Sequence, residues 1–85
     1  MPTAQFTYMP EKPVINKEVT FDASASTDKD GKVVEYVWDF GDGAGSGEKA
    51  PRHAFSLPGE YEVTLMLKDN EEGEGTVTKT ILVLR

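Results

Sequence analysis

Residues 60–68 read Glu-Tyr-Glu-Val-Thr-Leu-Met-Leu-Lys, and this stretch determines the fold class. Its apolar residues occupy every second position and are Tyr61, Val63, Leu65 and Leu67. Because successive side chains of a strand point to opposite faces, this period of two predicts a strand with one buried face and one solvated face. No segment of the chain has the 3.6-residue period of an amphipathic helix, so the pattern favours an all-β protein.

Six further segments carry strand signals, and clusters of turn-forming residues separate them. In one of them Tyr36, Trp38 and Phe40 occupy every second position, and Val34 belongs to the same set. The predicted strands are A (4–9), B (18–23), C (32–40), a short D within 45–49, E (52–56), F (60–68) and G (76–84). This arrangement predicts an immunoglobulin-like antiparallel β-sandwich of about seven strands.

That topology also predicts the core and the position of the loops. We expect the two sheets to press together around Trp38, Phe21 and Leu65. The B–C loop (24–31), the F–G loop (69–75) and the N-terminus should lie at the same end of the sandwich. Tyr61, at the start of strand F, matches a tyrosine corner, in which the hydroxyl bonds to the backbone of the E–F turn.

Composition limits the size, the partners and the chemistry of the domain. A chain of 85 residues forms one small domain, assigned to residues 1–85, which we expect to come from a larger multidomain protein. The absence of cysteine excludes disulfides and thiolate zinc sites. The net charge of −6 argues against nucleic acid, and the longest apolar run, residues 81–84, is too short to be inserted across a membrane.

Residues 38–43 read Trp-Asp-Phe-Gly-Asp-Gly, with two acidic residues and two glycines at a strand end. A metal loop or a catalytic carboxylate pair is one interpretation. The structural interpretation is favoured: Trp38 and Phe40 fill the core, the glycines adopt positive φ, and Asp42 accepts hydrogen bonds from turn amides. His53 is the sole histidine, and no serine lies in a nucleophile elbow, so the sequence predicts that the domain is not an enzyme.

Several spaced segments resemble, in order, the PKD domain, the polycystic kidney disease repeat. They are residues 21–31 (Phe-Asp-Ala-Ser-Ala-Ser-Thr-Asp-Lys-Asp-Gly), 36–43 (Tyr-Val-Trp-Asp-Phe-Gly-Asp-Gly), 51–55 (Pro-Arg-His-Ala-Phe) and 59–65 (Gly-Glu-Tyr-Glu-Val-Thr-Leu). The resemblance covers nearly the whole chain. It implies a noncatalytic accessory module of an extracellular multidomain protein, secreted or at the cell surface, such as a collagenase or another secreted hydrolase.

The role of such a module is open at this point. The resemblance implies a spacer, an interaction domain or a domain that engages a substrate, with neighbouring domains and collagen or polysaccharide as partners. A cell-surface adhesion unit that works in arrays is an alternative. Exposed aromatic side chains would indicate a binding module, and the candidates are Tyr8, Tyr36, Trp38 and Phe55. We expect the isolated domain to be a monomer.

Three carboxylates form the candidate metal site. Asp28 and Asp30 lie two residues apart in a glycine-ended turn, and the topology brings Asp69, after strand F, to the same pole. Converging carboxylate oxygens on a loop suit Ca²⁺, which takes about six to eight oxygen ligands. Some PKD-like domains of bacterial collagenases bind calcium here, and the resemblance carries that role to Asp28, Asp30 and Asp69. Alternatively, these residues only cap a turn and end a strand.

Overall fold

The computed structural model of the chain describes residues 2–28, 32–70 and 73–85, with the backbone alone for Pro2 and Asp28. The strands in this part of the chain are β1 (Pro2–Thr3), β2 (Thr7–Met9), β3 (Glu18–Asp22), β4 (Thr27–Asp28), β5 (Val33–Asp39), β6 (Gly45–Ser46), β7 (Arg52–Ala54), β8 (Gly59–Asp69) and β9 (Glu74–Val83). Over those residues there is no helix long and apolar enough to cross a membrane.

All the strands pair antiparallel, in two principal sheets and one short ribbon. One sheet has the order β2-β3-β7 and the other has the order β6-β5-β8-β9. In the ribbon, β1 pairs with β4, so that Pro2 lies opposite Asp28 and Thr3 opposite Thr27. The predicted all-β sandwich is confirmed, with nine strands among the described residues where the sequence pattern indicated about seven.

The predicted strand A (4–9) is wrong over its first half. Ala4 to Phe6 pair with no strand, because Gln5 is held by a side chain: its N–H donates to Ser26 Oγ over 3.0 Å and its carbonyl accepts from that hydroxyl over 2.7 Å. Ala4 and Phe6 are buried on either side of this contact. Only the second half of the predicted segment forms a strand, β2, whereas β1 precedes that segment and pairs with β4, where the sequence indicated only a turn.

The longest hairpin follows the alternation that the sequence showed. Val63, Leu65 and Leu67 are fully buried in β8. The pairing of β8 with β9 runs without interruption from Gly59 opposite Val83 to Lys68 opposite Glu74. Both strands extend beyond the predicted F and G toward the turn that joins them, because ladder hydrogen bonds continue after the apolar pattern has ended.

Strand β5 departs from simple alternation at Val34. Val33 pairs with Asp69 and Glu35 pairs with Lys68, so the intervening residue is a β-bulge. The bulge shifts the phase of the side chains, and Val34 is 62% exposed, although the pattern had grouped it with the buried face. The side chain of Val33 packs against the core instead.

The core is aromatic and lies between the two sheets. The Trp38 ring centroid lies 5.1 Å from that of Phe6 and 5.6 Å from that of Phe21. The predicted core residues Trp38, Phe21 and Leu65 are each at most 2% exposed, which confirms them. The indole N–H donates to the Glu48 carbonyl over 2.6 Å, so the one polar atom of this ring is satisfied. Burying each large apolar side chain contributes about 1.5–3 kcal/mol to stability.

Candidate functional site

Asp69 ends β8 and closes the turn that leads to β9. Its carboxylate Oδ1 accepts a hydrogen bond from the Gly73 N–H over 2.5 Å, and its own N–H donates to the Gly73 carbonyl over 2.9 Å. The side chain is nearly buried, with 6% of the residue exposed. A Cβ at Gly73 would lie 2.5 Å from Asp69 Oδ2, so a side chain there would require the Asp69 carboxylate to move. Asp69 thus has a structural role in the F–G turn.

A reciprocal pair of hydrogen bonds joins the end of the B–C loop to the start of the F–G loop. The Lys32 N–H donates to Asn70 Oδ1, and the Asn70 N–H donates to the Lys32 carbonyl, each over 3.1 Å. Asn70 was not among the residues predicted to act at this pole. Its amide, directly after Asp69, was the available signal, because asparagine side chains commonly bond to nearby backbone groups.

The three predicted calcium ligands differ in what the structure describes. Asp69 is fully described, Asp28 is described by its backbone in β4, and Asp30 lies outside the described residues. The β1–β4 ribbon adjoins the hairpin of β8 and β9, since β1 contacts both of those strands. Among the side chains that are described, no three histidine or acidic residues form a metal-binding group. The ligand set Asp28, Asp30 and Asp69 remains a prediction.

At the other end of the sandwich, Asp42 and His53 form a close pair. His53 Nε2 lies 2.6 Å from Asp42 Oδ2, and Asp42 Oδ1 accepts a hydrogen bond from the Ala44 N–H over 3.1 Å. The imidazole stacks on Phe40 with 4.4 Å between ring centroids and an interplanar angle of 5°. Partial burial acts to raise the pKa of Asp42, but the hydrogen bonds from His53 and Ala44 outweigh it and lower that pKa.

These contacts decide between the two interpretations of residues 38–43. Trp38 and Phe40 are buried, and both Gly41 and Gly43 have positive φ. The carboxylate of Asp42 accepts from a turn amide, as the structural interpretation required. The pair with His53 ties this turn to β7, and the structural interpretation is confirmed.

Tyr61 forms the predicted tyrosine corner. Its hydroxyl donates to the Leu57 carbonyl over 2.6 Å, which ties the start of β8 to the preceding turn. The ring also packs against Phe55, with 4.4 Å between centroids.

The aromatic side chains proposed for ligand stacking divide into two groups. Trp38 and Phe55 are buried and present no face to solvent. Tyr8 and Tyr36 are partly exposed while they also pack against the core. Tyr8 also lines a surface groove.

Comparison with known proteins places this geometry in a family. The sequence model of the PKD domain matches residues 1–83. Collagenase ColA of Clostridium perfringens is 42% identical over 71 residues, which are 84% of this chain and 6% of that protein. The chain therefore spans a small fraction of this relative.

Two solved structures match nearly the whole chain. The PKD1 domain of the Vibrio cholerae metalloprotease PrtV is 36% identical with a TM-score of 0.87, and the match covers 99% of this chain and 98% of that one. A structure solved to explain the promiscuous specificity of carbohydrate-binding modules of the β-sandwich superfamily is 41% identical with a TM-score of 0.94, over 98% of this chain and 34% of that one. With its sandwich, tyrosine corner and family match in agreement, the chain belongs to the PKD domain family.

Proposed function

We propose that this chain is a noncatalytic accessory module of an extracellular multidomain protein, such as a collagenase or another secreted hydrolase. The observation that carries the proposal is the full-length match to one PKD1 domain of a metalloprotease, in which both chains are covered almost completely. Other relatives are collagenases and a pre-pro-metalloprotease, of which this chain corresponds to 6–8%. So small a share fits a module that accompanies a catalytic domain.

The site chemistry supports the absence of catalysis. The one histidine of the chain is bound to Asp42 and packed against Phe40 and Phe55. A general base needs a substrate proton within hydrogen-bonding reach, and a nucleophile needs an adjacent base. No serine or threonine hydroxyl is recorded as a hydrogen-bond partner of His53 in the part of the chain that the structure describes.

Collagen and polysaccharide are both candidate ligands of the parent protein. Collagen is suggested by the names of the collagenase relatives, and polysaccharide by the neighbour from the study of carbohydrate-binding modules. Adhesion in cell-surface arrays is the alternative. In each case the module acts as a monomer that contacts neighbouring domains of its own protein.

A domain exchange tests the accessory role. The segment of Clostridium perfringens collagenase ColA that matches this chain would be replaced by the chain itself. We expect cleavage of short soluble peptides at an unchanged rate and cleavage of insoluble collagen restored above that of a variant lacking the segment. The isolated chain should cleave neither substrate. Cleavage by the isolated chain, in proportion to its concentration, would contradict a noncatalytic role.

We also propose that Asp28, Asp30 and Asp69 bind Ca²⁺. The B–C and F–G loops are tied together by Lys32 and Asn70, which supports a shared pole. The Asp69 carboxylate is held in one orientation by the hydrogen bond that it accepts from the Gly73 N–H, and calcium prefers carboxylate oxygens as ligands. An ion here would offset repulsion among the carboxylates and would stiffen the end of the sandwich that adjoins the N-terminal ribbon.

Calcium binding predicts a thermal shift. Saturating Ca²⁺ at a hundredfold excess over Kd would stabilise the fold by about 2.7 kcal/mol relative to chelator. We expect Asp30→Asn to abolish this shift, whereas Asp39→Asn, a matched change at the opposite end of β5, should retain it. An equal Tm in calcium and in chelator for the unsubstituted chain would refute the site.

A further inference from the structure

A groove opens along one flank of the sandwich, between the edge strands of the two sheets. Its volume is about 400 Å³, and Thr7, Tyr8, Glu11 and Lys79 line it. Thr7 and Tyr8 belong to β2, the edge of the three-stranded sheet, and Lys79 belongs to β9, the edge of the four-stranded sheet. This volume is near the lower end of the range for small-molecule sites, about 300–1,000 Å³.

Lys79 occupies a position that alternation assigns to the sandwich interior, between Val77 and Ile81 on the inward side of β9. Its ammonium donates to the Phe6 carbonyl over 2.6 Å and lies 4.9 Å from the centre of the Phe6 ring. No carboxylate among the described residues forms an ion pair with it. An ammonium has three N–H donors, and the carbonyl takes one, so two remain to serve a ligand in the groove.

The other walls supply an aromatic ring and an acceptor. Tyr8 is half-buried, and its ring packs on Phe21 with 6.3 Å between centroids while it also borders the groove. Glu11 is exposed, and its carboxylate has no hydrogen-bond partner in the described structure. The lining of the groove therefore combines an aromatic residue with one basic and one acidic residue, and Thr7 adds a residue that carries a hydroxyl.

We propose that this groove binds a neutral sugar residue of a polysaccharide chain. A sugar ring carries C–H groups on its face, which suit the negative face of an aromatic ring, and hydroxyls on its rim, which both accept and donate. Lys79 serves the accepting oxygens and Glu11 the donating ones. The opposite charges of these two residues cancel, and the chain carries −6 overall, so an anionic glycan is disfavoured. This goes beyond an accessory role, which needs no sugar site.

Titration of the isotopically labelled chain with soluble disaccharides, observed by NMR, tests the proposal. The probes are cellobiose, N,N′-diacetylchitobiose, xylobiose and mannobiose. We expect at least one to shift the amide signals of Thr7, Tyr8, Glu11 and Lys79 in a saturable way. Tyr8→Leu keeps an apolar contact with Phe21 and removes the aromatic face, and we expect it to weaken binding by roughly three- to tenfold. Glu11→Gln should weaken binding as well.

The matched controls are Tyr36→Leu and Glu60→Gln, which make the same changes outside the groove. Both should bind as the unsubstituted chain does. Absence of saturable shifts with every disaccharide would overturn the proposal, as would shifts confined to other surfaces or equal binding by Tyr8→Leu. Preferential binding of polygalacturonate would overturn the assignment to a neutral sugar. Shifts of the groove signals with a collagen peptide and with no disaccharide would show that the groove binds polypeptide and would overturn the proposal. Each of these results leaves the domain-exchange experiment unaffected.

Discussion

Gly41 and Gly43 lie two residues apart in the turn after β5, and each has a positive φ, +80° and +94°. Their surroundings differ. A Cβ at Gly41 would lie 2.7 Å from the Glu62 carbonyl oxygen, which belongs to the backbone of β8. A Cβ at Gly43 would meet no atom within 4 Å. The two glycines therefore separate the cost of a left-handed backbone from the cost of a close approach between the turn and the sheet.

We expect Gly43→Ala to lower the free energy of unfolding by about 1–2 kcal/mol, because alanine is strained at positive φ. Gly41→Ala should cost about 1–3 kcal/mol more, because the backbone of β8 must also shift. Urea denaturation of the two variants and of the unsubstituted chain measures both terms. Equal losses would show that contact with Glu62 is not what requires glycine at position 41.

At the scale of the strands, the alternation of apolar residues correctly predicted those strands that pair with other strands over their whole length. Strand β8 is the clearest case, because Leu65 and its neighbours face the core as the pattern requires. The prediction was wrong where a local contact interrupts the ladder. Nothing in the spacing of apolar residues indicates the bulge at Val34, and the hydroxyl of Ser26, which holds Gln5, is distant in sequence.

The candidate sites follow the same division. The tyrosine corner could be predicted because Tyr61 and its acceptor, the Leu57 carbonyl, lie four residues apart in one turn. The pair of Asp42 and His53 could not, since it joins the turn after β5 to β7, and the relative position of these two elements depends on the packing of the sheets. The hydrogen bond of Lys79 could not be predicted either. Its inward direction follows from its position in β9, but its acceptor, the Phe6 carbonyl, belongs to the unpaired first half of the predicted strand A.

At the scale of the whole molecule, charge sets how stability depends on pH. The chain carries −6 near neutrality, and ionised carboxylates supply this charge. The fold favours the ionised form of two of these carboxylates. Hydrogen bonds from Ser24 lower the pKa of Asp22, and the hydrogen bonds from His53 and Ala44, which outweigh partial burial, lower that of Asp42. Protonation of these two groups should therefore lower the stability of the fold as the pH falls below their ordinary pKa of 3.8.

The contribution of Asp42 to stability can be recognised from the direction in which it changes with pH. Because the pKa of Asp42 in the folded chain lies below the ordinary value of 3.8, the unfolded chain binds more protons near that pH. The stabilisation is thus fully present above about pH 4 and is lost as the pH falls through the folded pKa. We expect Asp42→Asn to cost on the order of 1 kcal/mol at pH 6, and urea denaturation should show this cost disappearing as the pH falls through the folded pKa of Asp42. Glu60→Gln, which removes an equal charge from an exposed site, is the control for the change in net charge. A cost for Asp42→Asn that stays constant across this range would show that the ionised carboxylate is not its source.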